Sequence, residues 1–223
     1  MTRSMSAQRL VFADPGGAAG LAAFLERLLR WEKNAAVRIQ AGGQVAGVFA
    51  RPARFEVLAI RTARLRTPVE LDTTVSAGEL LEAVDERRGT LTAPAAVTGP
   101  PWAGVLPPRS GWSRVGELPA DAVRTVATAA VAEFRERTEQ LDAEDRTRDR
   151  LDALAEEIWS RPLGRTGLPL RAVHAAHALG FLTGDEPAGL FATGTWLRLH
   201  TPYGSVAVRS APSPAAGLSV TPR

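Results

Sequence analysis

The chain has 223 residues, enough for one large or two small domains with a buried core. It contains no cysteine, which removes disulfides, thiol nucleophiles, iron–sulfur clusters and thiolate zinc sites, so any metal would need histidine and carboxylate ligands. The formal charge of +3 is unevenly spread: residues 1–75 carry eleven basic and six acidic side chains, residues 117–157 six and twelve, and residues 158–223 six and two.

No apolar run approaches the roughly 18 residues of a membrane-spanning helix. The opening "MTRSMSAQRLVFADPGG" lacks the apolar stretch and small-residue cleavage site of a secretory signal, so a cytoplasmic protein without membrane contact is expected. In chain order, "QRLVFAD" reads as a short strand. Asp14 then stands as an N-cap with Pro15 at the first helical position, and Leu21, Phe24, Leu25, Leu28 and Trp31 recur at helical spacing while Glu26, Arg27, Arg30 and Lys33 fall largely outside that stripe. Strand-like runs follow: "AAVRIQA", "QVAGVFA", "FEVLAIRTARL" and "VELDTTV", the first two joined by Gly42 and Gly43. In the last run Val69, Leu71, Thr73 and Val75 alternate with Glu70, Asp72 and Thr74, which predicts a sheet with one dry face and one wet face. Ser76 with Glu79 three residues on is a capping box ahead of a short helix ending near Gly89. The expected first domain, residues 1–93, is α+β: an antiparallel sheet with helices on one face.

Residues 94–119 are rich in proline and glycine and hold Trp102 and Trp112, which predicts a connector wrapped over the first domain and pinned by its tryptophans. From 120 to 210 a helical region closing in a β-hairpin is expected. Val123, Val126, Ala130, Val131, Phe134 and Leu141 form one stripe, which resumes at Leu151, Leu154, Ile158 and Trp159 after the polar "DAEDRTRDRLD", so the spacing predicts a helical hairpin. A helix over 169–179, an irregular "GDEPAGLFATG" and the hairpin "TWLRLHTPYGSVAVRS" follow, and residues 211–223 read as a flexible tail.

Three constellations bear on chemistry. The run "DPGGAAG" sits between a strand and a helix, where phosphates bind, but matches neither G-x-x-x-x-G-K-[ST] nor G-x-G-x-x-G, and reads as a turn with a small-residue first helical turn. His174 and His177, three apart on one helix, with His200 and with Asp185 or Glu186, have the residue types of a zinc site. However, the helix is apolar nearly all round, which predicts burial and histidines that pack. The order helix (148–160), helix (169–179), hairpin (195–209) follows that of a winged helix, with Arg161, Arg165, Arg171, Arg198 and Arg209 available to duplex DNA phosphates. Against that, the connection "RPLGRTGL" exceeds the turn of the motif, and the reading helix offers few polar contacts.

The segments "PPWAGVLPPRSGW", "AAHALGFL" and "GTWLRLHTPYGSVAVR" resemble a set of conserved hypothetical proteins of high-GC Gram-positive bacteria, a resemblance that implies no activity and transfers no site residues. No catalytic constellation or cofactor motif emerges. The sequence therefore predicts a non-enzymatic protein that binds a protein partner or itself, with a winged-helix-like DNA-binding regulator as the alternative and a histidine-ligated metalloprotein third.

Overall fold

The computed structural model of the protein describes residues 8–209, so the tail expected over 211–223 lies outside the described residues. Arg9–Val11 (β1) leads into Pro15–Trp31 (α1), whose Leu21, Phe24, Leu25 and Leu28 are buried along one stripe. Pro15 opens the helix as expected, although the Asp14 side chain makes no capping hydrogen bond. Three strands then run as a meander, Ala36–Gly42 (β2), Val45–Ala50 (β3) and Leu58–Arg64 (β4), and Leu71–Ser76 (β5) returns to pair with β2. The Ser76 hydroxyl accepts from the Glu79 N–H and starts Ala77–Glu82 (α2). Val84–Asp85 (β6) and Thr90–Thr92 (β7) form a small three-stranded sheet with β1.

The connector contains a 3-10 turn at Pro101–Gly104 and an edge strand, Ser113–Leu118 (β8). Ala120–Glu139 (α3) and Arg148–Trp159 (α4) make the expected helical hairpin, the second capped by the Thr147 hydroxyl. Leu170–Ala178 (α5) closes with a Schellman arrangement in which Gly180 is left-handed and the Phe181 N–H bonds to the Ala176 carbonyl. The described residues end in a second meander, Ala188–Thr193 (β9), Trp196–Thr201 (β10) and Gly204–Arg209 (β11). The expected terminal hairpin is thus two strands of three. "AGLFAT", read as irregular because glycine and alanine have weak strand propensity, is a strand paired on both sides, by β8 and β10.

These strands form one antiparallel sheet of eight, in the order β5-β2-β3-β4-β11-β10-β9-β8. Each half consists of a helix followed by a meander, α1 with β2–β4 and α5 with β9–β11. The halves meet where Leu58, Ala59 and Ile60 pair with Ala207, Val206 and Ser205. The five α-helices of the described residues lie on one face. There Val37, Ile39 and Val48 of the first half and Leu199, Val206 and Val208 of the second join α1 and α5 in a single apolar core. α5 lies against β10 and β11, and α3 and α4 close over it. The class is the α+β one expected, while the likeness to a winged helix rests on element order only, since the hairpin lies inside the sheet and α5 beneath two helices.

The opposite face of the sheet carries a second, smaller apolar cluster. Leu58, Ile60, Trp196 and Ala207 are covered by Trp102, Leu106 and Trp112 of the connector. The Arg38 guanidinium fixes this strap by donating to the Ala103 carbonyl while pairing with Asp72. The tryptophans do pin the connector, but across the junction of both halves.

Gly204, which follows the turn between β10 and β11, is closely packed. A Cβ at Gly204 would stand 2.5 Å from the ring of Phe181, which is 2 % exposed and packs on Phe24 at 5.6 Å between centroids. Gly204→Ala is therefore expected to destabilise the fold by about 1–3 kcal/mol through overpacking, read as a lowered urea midpoint. An unchanged midpoint would show that the Phe181 ring is free to yield.

Candidate functional site

The structure does not bring the three histidines together. His174 stacks on Trp159 at 4.2 Å between centroids and meets the edges of Phe55 at 5.0 Å and Trp31 at 6.5 Å. His177 is exposed on the same helix. His200 lies across the sheet, on the strap face, where its Nδ1 is 2.8 Å from the Ser205 hydroxyl. Asp185 is held by Arg124 at 3.4 Å, and Glu186 is exposed. Among the described residues no group of three or more histidine, aspartate or glutamate side chains is placed to hold a metal.

The five arginines considered for DNA are likewise dispersed. Arg161 is bidentate to Glu133 at 2.6 and 2.8 Å, and Arg171 joins Glu156 to Glu56 of the β3–β4 loop. Arg165 is exposed in the turn before α5. Arg198 and Arg209 are on the strap face, the first donating to Ser205 at 2.8 Å beneath Trp112 and the second over the Trp196 ring. No continuous basic surface results, because the sheet separates two of the five from the rest and carboxylates neutralise two more.

A different pair of arginines does converge. On the helix face, where α1 of the first half meets the end of α5 and the β10–β11 turn of the second, a cleft of about 180 Å³ is lined by Arg27, Arg61, Thr183 and Tyr203 and by no carboxylate. Arg61 rises from β4, between Ala59 and Ala63, at a position that alternation assigns to the core side. Its Nη1 donates to the Pro202 carbonyl at 3.2 Å, and its Nε is buried without a hydrogen-bond partner among the described residues. Arg27, on α1, donates to the Ala23 carbonyl one turn back at 3.1 Å. Among the described residues neither arginine makes an ion pair.

Two glycines make room for these guanidinium groups. A Cβ at Gly20 would stand 2.1 Å from Arg61 Nη2, and one at Gly180 would stand 2.7 Å from Arg27 Nε. The rim is held by Arg124 of α3, which donates to the carbonyls of Leu182 and Gly184, and by the buried Thr201 hydroxyl, which bonds to the Phe181 carbonyl at 2.6 Å. Burial pushes the Arg61 guanidinium below its ordinary pKa, opposed by the charge of Asp14. An arginine stays protonated even so, and the cleft keeps two positive charges.

A wider groove of about 560 Å³ lies between the end of α1, the β3–β4 loop and the strap, lined by Glu32, Arg51, Glu56 and Trp102 among others. Its charges are mixed, and Glu56 is already engaged by Arg171.

Two predictions follow from these environments. Burial, with the charge of His177 second, pushes the His174 imidazole from its ordinary 6.5 down to about 4. The unfolded chain therefore binds a proton between those values that the native one refuses, so stability is full above pH 6.5 and falls as the pH drops toward 4, by up to about 3 kcal/mol. His174→Phe should flatten that slope in denaturation midpoints measured from pH 7 to 4, and a slope unchanged in the variant would refute the assignment. Replacing Arg61, which makes no ion pair among the described residues, by methionine should raise the melting temperature, because a desolvated charge is exchanged for an apolar chain. A lowered melting temperature would show Arg61 to be a structural residue.

Residues 5–104 match the family described as Domain of unknown function (DUF8010), and residues 107–213 match the family described as Domain of unknown function (DUF8185). Comparison with curated proteins gives no match. No helix among the described residues is long and apolar enough to cross a membrane. The two matches abut within the strap, so the cleft is built from both: Arg27 and Arg61 from the first, Gly180 and Tyr203 from the second.

Proposed function

We propose that the protein is a non-enzymatic binding protein that recognises a macromolecular partner, and that the arginine cleft anchors an acidic group of that partner. The observation that carries this reading is the pair Arg27 and Arg61, facing one cleft that holds no carboxylate. Each guanidinium has five N–H donors, and the fold uses one from each. A half-buried guanidinium left without an anion loses hydration and gains little in return, so the arrangement serves the fold poorly and an arriving anion well. Elsewhere in the same chain, Arg161 and Arg171 are given carboxylates.

Size favours a projecting group over a free cofactor. At about 180 Å³ the cleft is smaller than the roughly 300–1,000 Å³ of sites that engulf small molecules. One acidic group fits, and the rest of its bearer lies outside, against a rim that includes the 41 % exposed Tyr203.

Fluorescence anisotropy tests this with labelled peptides carrying a central glutamate or a central phosphoserine, titrated with the full chain at low and at physiological salt. Saturable binding that weakens with salt and falls at least tenfold in both Arg27→Gln and Arg61→Gln is the expected result, since each substitution removes a charge-assisted contact. Binding of neither peptide, or binding indifferent to both substitutions, would overturn the reading.

A further inference from the structure

We infer that the acidic group taken by the cleft is a phosphate monoester on a side chain of a protein partner, bound as its dianion. This rests on the reading of the cleft as an anion anchor. Charge balance decides the class. Two guanidinium groups share a lining that contains no carboxylate, and Asp14, whose charge reaches Arg61, lies outside that lining. A carboxylate would neutralise one of the two charges and leave the other half-buried and unmatched. A phosphate monoester, carrying about −1.5 to −2 at neutral pH on three terminal oxygens, matches both.

The geometry agrees with that donor demand. The fold uses one donor from each guanidinium, and although the Arg61 Nε is covered by protein, the other terminal N–H groups of both arginines are left unbonded for one compact acceptor. Gly20 and Gly180 keep the guanidinium groups close against the backbone of α1 and of the α5 terminus, which leaves the space in front of them open. A nucleic-acid strand is a poorer fit, because its internal diesters are singly charged and a cleft of about 180 Å³ does not accommodate a continuous backbone.

Calorimetric titration of the full chain tests the inference with four probes: inorganic phosphate, a phosphoserine peptide, the same peptide with glutamate in its place, and a single-stranded oligonucleotide without terminal phosphate. The phosphopeptide is expected to bind at least tenfold more tightly than any of the others at pH 7.5. Its affinity should drop about tenfold at pH 5.0, as the phosphate passes through its second pKa near 6 and becomes a monoanion. No histidine lines the cleft, and thermal melts of the chain at both pH values separate the proton on the ligand from the fold's own loss of stability toward pH 4. Binding should be lost in Arg61→Gln and also in Gly20→Leu, whose side chain takes the place of the Arg61 guanidinium and displaces it while keeping both arginines. Equal affinity for the glutamate peptide, or no change with pH, overturns the phosphate assignment and leaves the anion anchor standing. Equal affinity for inorganic phosphate overturns the partner-borne source, and preference for the oligonucleotide overturns the monoester. Failure of all four probes overturns the anchor as well.

Discussion

The antiparallel pairing of β4 with β11 is the constraint on which the molecule depends. Three residue pairs join two four-stranded halves into one sheet. Their ladder is a small part of what holds the halves together, because each hydrogen bond contributes about 0.5–1.5 kcal/mol net. Each apolar side chain buried under the helices is worth about 1.5–3 kcal/mol, and the core crossing the junction draws from both halves. The ladder sets register and the core supplies stability. The strap adds a second apolar layer over the same junction, so the halves are clamped from both faces.

The same junction explains why an unusual electrostatic arrangement is tolerated. Arg171, which ties the β3–β4 loop of the first half to α4 and α5 of the second, is bonded to two glutamates, and Arg161 is bidentate to a third. Those arginines stitch the fold. Arg61 stands on the core side of β4 with a carbonyl as its hydrogen-bond acceptor and no ion pair among the described residues, and Arg27 faces the same cleft. A strand with alanines at the flanking inward positions, Ala59 and Ala63, gives the long arginine side chain room to reach the rim. Stability supplied by the clamped core is what lets two unmatched cations persist there.

Much of the fold is legible in the sequence, because periodicity reports directly on which face is dry. The stripe of α1, the Gly42–Gly43 turn, the alternation of β5 and the Ser76 cap are local signals, and local signals survive folding. What was not legible depends on non-local pairing. Nothing in "AGLFAT" announces a strand, since its strand character comes from β8 and β10 on either side. The candidate site was legible only in fragments. Arg61 interrupts the apolar run "VLAIRTARL", and "DPGGAAG", placed where phosphates bind, matches no phosphate-loop pattern and reads as a turn. Gly20, its last glycine, does line the cleft, but by clearing space for a side chain and not by presenting N–H groups. Of the two helix histidines expected to pack, His174 does so and His177 is exposed, and spacing on one helix says nothing of which side of the sheet His200 occupies.

The junction also bears on how the chain is made. Ile60 and Ser205, partners across it, are about 145 residues apart in sequence. At about 5–20 residues per second of synthesis, β4 leaves the ribosome roughly 7–30 s before its partner strand exists. A first half that folded within that interval would have β4 as an unpaired sheet edge, the kind of edge that recruits other unfinished chains. β4 carries Arg61 and Arg64, charges of the sort that keep such an edge from pairing wrongly. One of the arginines that later faces the cleft thus stands guard first over a growing polypeptide.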